Sequence, residues 1–328
     1  MGTHICIAPG SINIDLILKT DILRGPKTFK GQYTESQGGK GSNEAVAIRQ
    51  ASNQEREVYL VGCVGQDDWG RQALEKLQAK GVNTEFIEVT DHCATGVVLE
   101  YLFADGEVTI GLGLGANNEI TVGDIDGARD VITSAQILLS QIESPMEVVE
   151  YAIGLAKSNG VITFLDPSVV PEQSDERSRL FDRILPNVDI LAPNRSEALA
   201  LTGVSIQDKS SALEAAEILL KVVDIVIITL GRDGALIARD RNYHIVPGIE
   251  VNSIDGGAAG DTFRGVFCEA LAEILEEKDQ GVEAIAFDDL GRAAEFANCA
   301  AALCVTRSGA YPSIPTRGEI EAFREKTQ

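Results

Sequence analysis

The 328-residue chain is poor in histidine, tryptophan and methionine, with three, one and two of each. His4, His92 and His244 are far apart in sequence, which argues against a His-rich zinc site. Basic residues are scarce as well: 28 Lys and Arg face 50 Asp and Glu, giving a net charge of −22. A surplus of that size disfavours nucleic acid and anionic membranes as partners. It still permits a phosphate-bearing ligand at one local site rich in N–H groups. No apolar run approaches the roughly 20 residues of a membrane-spanning helix. None of the six cysteines (Cys6, Cys63, Cys93, Cys268, Cys299, Cys304) forms a C-x-x-C pair, and most lie in apolar runs. Buried, reduced thiols in a cytoplasmic protein are therefore expected. The N-terminal Met-Gly-Thr-His-Ile-Cys-Ile reads as a strand rather than a signal peptide.

What is present is an ordinary globular balance, 44% hydrophobic and 24% charged, enough for a sizeable core. Short apolar, β-branched runs alternate with helical patterns. The strand candidates are Ile5–Ala8, Val58–Val64, Ile137–Ile142, Val161–Leu165, Ile190–Ala192 and Ile225–Leu230. Helical stretches include Asn43–Gln50, Gly70–Lys80, Met146–Ser158 and Ser211–Val223. This alternation predicts βαβ units and a parallel sheet covered on both faces. Two regions interrupt it. Residues 12–34 and 95–112 read as extended, with Asp105-Gly106 as a turn between two apolar runs. They predict a small, mostly antiparallel sheet acting as a lid on one domain spanning residues 1–328. Val97, Leu99 and Tyr101 give that sheet one apolar face, which suits a second subunit; ordinary edge strands are the other reading. Near the C-terminus, Tyr243–Val246 and a segment around Val251 are further strand candidates, while Pro171–Arg179 and Glu276–Glu283 read as solvated surface.

The stretch Asp255-Gly-Gly-Ala-Ala-Gly-Asp261 puts small residues ahead of an aspartate. An apolar pattern follows at helical spacing: Phe263, Val266, Phe267, Ala270, Leu271, Ile274 and Leu275. Residues 256–260 thus form a loop entering a helix. A helix start offers free N–H groups and the positive end of the dipole, a natural anion site. Asp261 in the first turn could serve as a general base; it could also be a plain capping residue. Four successive strand ends carry polar residues: Glu143, Asp166, Asn194 with Glu197, and Thr229 with Gly231. Ligands of open parallel sheets bind at such ends, so a shared cleft is expected, although each residue alone is also an ordinary turn or cap.

A second glycine-rich loop, Gly38-Gly-Lys-Gly-Ser-Asn43, precedes the helix at Asn43–Gln50. It is not a Walker A loop, because Thr34 and Gly41 stand where the leading Gly and the Ser or Thr belong. Lys40 and Asn43 offer donors to hydroxyls, or the loop is merely flexible. Asn13 and Asp15 alternate with Ile12 and Ile14 and share one face of an extended segment. An amide beside a carboxylate suits a polyol; a solvated strand face has the same pattern. Gly111-Leu-Gly-Leu-Gly115 fails the dinucleotide spacing, because Ala116 stands where the third glycine belongs.

These motifs together resemble the ribokinase-like (phosphofructokinase-B) family of carbohydrate kinases. The two signatures are Gly38-Gly-Lys-Gly-Ser-Asn-Glu-Ala45 and Asp255-Gly-Gly-Ala-Ala-Gly-Asp261. Gly10–Asp15, Gln141–Pro145, Thr229–Gly231 and Val305–Gly309 resemble the ribose-phosphorylating members in particular. The resemblance implies a three-layer α/β fold with a mostly parallel central sheet and a small β-sheet lid. It implies ATP-dependent phosphorylation of D-ribose at the 5-hydroxyl; the alternatives are a related sugar or nucleoside kinase, or a non-catalytic sugar-binding regulator. Asp261 would be the catalytic base. Asn13, Asp15, Gly39, Lys40, Gly41, Asn43 and Glu143 would hold the sugar. Asn194, Thr229, Gly231, Arg232, Gly234, Ala258, Ala259, Gly260 and Asn298 would line the ATP site. Glu197 would act indirectly on Mg²⁺. Asp255, Gly257, Cys304, Arg307, Gly309 and Ser313 would surround a monovalent cation, K⁺, several through backbone carbonyls. A homodimer through the lid is implied too. In two places the chain departs from the family. Gly256 and Gly257 replace threonines, which loosens the presumed cation site. Arg264 stands where Asn is common; its charge would touch the nucleotide or face solvent, and solvent is the expected environment.

Overall fold

In the computed structural model, residues 3–327 are described except 24, 26–27, 54–55, 106–107 and 279–284. The central sheet has eight strands in the spatial order Asn242–Pro247, Gly234–Arg239, Ile225–Thr229, Ile190–Leu191, Ile162–Asp166, Ile137–Gln141, Ile5–Ile7, Val58–Leu60. The six from Ile225–Thr229 to Val58–Leu60 are parallel, and the first two form an antiparallel edge. The strands alternate between two cores, as a sheet buried on both faces requires. Ile5, Ile7, Ile137, Leu139, Ile225 and Ile227 face one side, which is packed by the helices Lys40–Ala51, Ala259–Lys278 and Phe287–Cys304. Cys6, Leu138, Val226 and Ile228 face the other, under Met146–Ser158 and Lys209–Leu219. The result is the expected three-layer α/β architecture.

The lid is a separate four-stranded sheet in the order Gln32–Gly38, Asn13–Lys19, Gly96–Leu102, Val108–Gly113. Its outer pairs are antiparallel and the central pair is parallel. Val97, Leu99 and Tyr101 share a face with Ile14, Leu16 and Leu18. The turn between the last two strands lies partly outside the described residues.

Several boundaries differ from the expected ones. The run Val58–Val64 is two strands, because the chain leaves the central sheet at Val61 and Gly62–Gly65 pairs with Ile87–Thr90 instead. Around Val251 there is no strand; residues 248–256 run without regular structure. The helix after the second glycine loop starts at Lys40, not Asn43. Residues 174–179 form a short surface helix, and Glu276–Glu283 falls mostly outside the described residues. Among the described residues, no helix is long and apolar enough to cross a membrane.

Candidate active site

The helices Lys40–Ala51 and Ala259–Lys278 pack side by side on one face of the sheet, with their N-termini at its carboxyl edge. This brings the two glycine-rich motifs together. Asn43 Nδ2 donates to Asp261 Oδ2 at 2.8 Å. Lys40 Nζ lies 3.7 Å from Asp261 Oδ1 and 3.1 Å from Asp166 Oδ2 at the end of its strand. Burial alone would lower the Lys40 pKa, but the charges of Asp166 and Asp261 outweigh it and keep the ammonium protonated. Gly39 caps this helix with φ of 93°, and a Cβ there would meet Asn13 N and Ser11 O at 2.7 Å. Only glycine fits that close backbone approach.

Glu143 accepts from Ser11 Oγ at 2.6 Å, and burial raises its pKa. The Gly41 N–H approaches the same Ser11 Oγ at 3.4 Å. Asn13 is buried, and Asn117 fixes it by donating to its Oδ1 at 2.8 Å. Asp15 reaches in from the lid. Burial, then the nearby carboxylates Glu100, Asp261, Glu143 and Asp255, push its pKa up to about 8. The seven residues expected to hold a sugar therefore lie around Asp261 and the lid strand.

The helix bearing Asp261 begins at Ala259, so of the five expected loop residues only 256–258 precede it. The Ala259 N–H is engaged by Gly256 O at 3.3 Å, while first-turn N–H groups in general lack intrahelical acceptors. Beside this start opens a cavity of about 840 Å³. Asn194, Thr229, Gly231, Arg232, Gly234, Ala259, Gly260 and Asn298 all line it; Ala258 does not. Asn194 and Glu197 form a capping box: Asn194 Oδ1 accepts the Glu197 N–H at 2.9 Å, and Glu197 Oε2 accepts the Asn194 N–H at 2.8 Å.

The segments expected around a cation also meet. Asp255 Oδ1 accepts the Gly257 N–H at 2.9 Å, and its Oδ2 accepts the Gly309 N–H at 3.0 Å. The Cys304 thiol points inward to Thr262 Oγ1 and Ser313 Oγ, and Arg307 turns outward to Glu319. Any part these two residues play there runs through backbone.

One expectation is overturned. Arg264 is not solvated: it is 1% exposed and ion-paired to Asp166 at 3.1 Å and Glu197 at 3.4 Å. Its position on the helix faces the sheet end, where buried carboxylates demand a counter-charge. Glu44 and Asn117 were not singled out by sequence reasoning. Glu44 follows Asn43 in the motif; its pKa is driven well up by burial and then by Asp166 and Asp261, and Gln141 donates to it. Asn117 carries no local signal, because its partner is over a hundred residues away.

The pfkB family carbohydrate kinase model matches residues 5–317. The chain is 36% identical to the ribokinase of Haemophilus influenzae over 319 residues, covering 96% of this chain and 97% of that one. It is 29% identical to a deoxyribokinase of Salmonella typhi, covering 96% of each. The structure of a ribokinase from Giardia lamblia superimposes with a TM-score of 0.90 at 29% identity, covering 100% of both chains.

Proposed function

The chain belongs to the pfkB family of carbohydrate kinases, and on that premise we propose that it phosphorylates D-ribose at the 5-hydroxyl, using ATP. The observation that carries this reading is the Asn43–Asp261 contact, which joins a sugar-side loop to an anion-side loop next to a nucleotide-sized cavity. The name of the Haemophilus influenzae relative supports ribose as the sugar.

In this reading Asn13, Asp15, Gly39, Lys40, Gly41, Asn43 and Glu143 hold the sugar with its 5-hydroxyl at Asp261. Asp261 takes the hydroxyl proton as the oxygen attacks the γ-phosphorus. The new O–P bond forms while the bond from phosphorus to the β-phosphate bridging oxygen breaks, releasing ADP. Phosphoryl transfer needs positioning and charge stabilisation more than covalent help. The N–H groups of Ala258 and Gly260 supply that stabilisation at the helix start, since that of Ala259 is taken by Gly256 O. ATP lies in the cavity, against Asn194, Thr229, Gly231, Arg232, Gly234 and Asn298. The lid, carrying Asp15, closes over the sugar and keeps water from the phosphoryl group. The whole chain acts as one catalytic domain.

Magnesium fits as an indirect partner of Glu197. Both oxygens of that carboxylate already accept hydrogen bonds from Asn194, which suits holding a metal-bound water rather than the ion. When bound, Mg²⁺ neutralises phosphate charge. For K⁺, the ligands we assign are the Asp255 carboxylate and backbone carbonyls of Gly257 and the 304–313 segment, hard oxygens of the kind such a cation takes. The lid also offers an interface for a second copy, since Leu99 and Tyr33 are exposed on it. Free cysteines throughout the described chain suit a cytoplasmic setting.

The deoxyribokinase relative favours one second reading, 2-deoxyribose as the preferred sugar. A coupled ADP-release assay across ribose, 2-deoxyribose, fructose and adenosine separates the two. Highest kcat/KM with ribose is expected; good turnover with another acceptor and none with ribose removes the ribose assignment.

A further inference from the structure

Three carboxylates, Glu44, Asp166 and Asp261, converge in the buried floor of the site, with an oxygen of each within 4.8 Å of the others. Glu197 stands behind them. Such a group needs counter-charge, because unpaired buried carboxylates are strongly disfavoured. Two cations meet it, and they differ. The Lys40 side chain is 25% exposed and opens to the sugar cleft, whereas that of Arg264 is 2% exposed. Arg264 is thus the counter-charge sealed from solvent, and Lys40 the one open to it.

Its contacts reach each part of the centre. Nη2 lies 3.1 Å from Asp166 Oδ1 and 3.4 Å from Glu197 Oε2, Nη1 lies 3.7 Å from Asp261 Oδ1, and Nε donates to Ala192 O at 3.1 Å. Nη1 also sits directly behind the anion loop: a Cβ on Gly260 would come within 2.9 Å of it. Glu197 in turn caps the helix with Asn194, which lines the nucleotide cavity. One guanidinium thus links the base, the anion loop and the nucleotide-side cap. A planar fork with several donors can do this; an ammonium, as a single point charge, cannot.

We infer that Arg264 is a positioning residue for phosphoryl transfer, a buried tie that fixes Asp261 and Gly260 relative to the Asn194–Glu197 cap. The inference deepens the kinase reading and rests on it for its kinetic consequence. Misplacement of reacting groups by about 1 Å costs on the order of a hundredfold in rate. Loss of the tie is therefore expected mainly in kcat.

The test uses Arg264→Lys and, because removing a buried cation alone endangers folding, the double variant Asp166→Asn with Arg264→Met. In both, kcat with ribose and ATP is expected to fall about tenfold or more, while the ribose KM stays within about threefold. Amide exchange should rise together in segments 193–199 and 255–263, and the melting curve should stay cooperative. Wild-type kcat and exchange in the double variant, or full rescue by Arg264→Lys, overturns the tie. The exchange measurement keeps the two claims apart. A wild-type protein without kinase turnover refutes the kinase reading, while coupled exchange in the two segments still decides on the tie.

Discussion

Asn43 and Asp261, 218 residues apart, share a 2.8 Å hydrogen bond in which the amide donates to the carboxylate. An amide in that position occupies one lone pair of Oδ2, leaves others for the incoming hydroxyl and fixes the direction of the carboxylate. Asn43→Ala is expected to lower kcat by about ten- to a hundredfold, since the base loses orientation rather than identity. Steady-state kinetics with ribose and ATP check this; an unchanged kcat would show that the contact does not orient the base.

Asp15 makes a prediction about pH. Its pKa stands near 8 in the folded protein, against about 3.9 in an unfolded chain. A raised carboxyl pKa means the folded state holds the extra proton, so its contribution to stability is complete below about pH 4 and is lost as pH rises through 8. Asp15→Asn removes that loss. Its melting temperature relative to wild type should climb between pH 5 and pH 8. Thermal melts across that range test the sign. A difference that shrinks with rising pH would refute it.

The buried pair Arg56–Glu269, 2.6 Å apart between Nε and Oε2, ties the segment before the strand Val58–Leu60 to the middle of the helix that carries Asp261, about two turns beyond that base. Arg56→Ala leaves Glu269 buried without its partner and should cost about 3–5 kcal/mol of stability. Urea denaturation measures the loss. The folded fraction should keep the wild-type kcat; a specific kcat defect would instead assign the pair a part in catalysis.

Potassium should raise ADP release in an otherwise K⁺-free buffer, and Asp255→Ala should abolish the response. The Asp255 carboxylate bridges the Gly257 and Gly309 backbones and leaves lone pairs for a hard cation. A wild-type enzyme indifferent to K⁺ would refute this role.

Much of the centre was readable along the chain. Asp261, Lys40 and Asn43 sit in loops whose glycines announce close backbone approach, and Glu143, Asp166 and Asn194 follow apolar strands. Local pattern failed where the deciding partner is distant. Arg264, read as a helix residue, has no sequence neighbour that reveals Asp166 and Glu197 beneath it. Its burial follows from which face of the helix meets the sheet edge, a tertiary fact. Asn117 is hidden for the same reason, as it becomes significant only beside Asn13 in the lid. The break at Val61 was invisible because Val58–Val64 is continuously apolar, and apolarity does not say which sheet a strand joins.

The most direct measurement of the central claim is kcat and ribose Kd on one preparation of Asp261→Ala. With Asp261 as the base, kcat falls by roughly 10²–10⁴-fold, the contribution of a general base, with ribose Kd within about threefold of wild type. A variant that turns over ribose at the wild-type rate would contradict it.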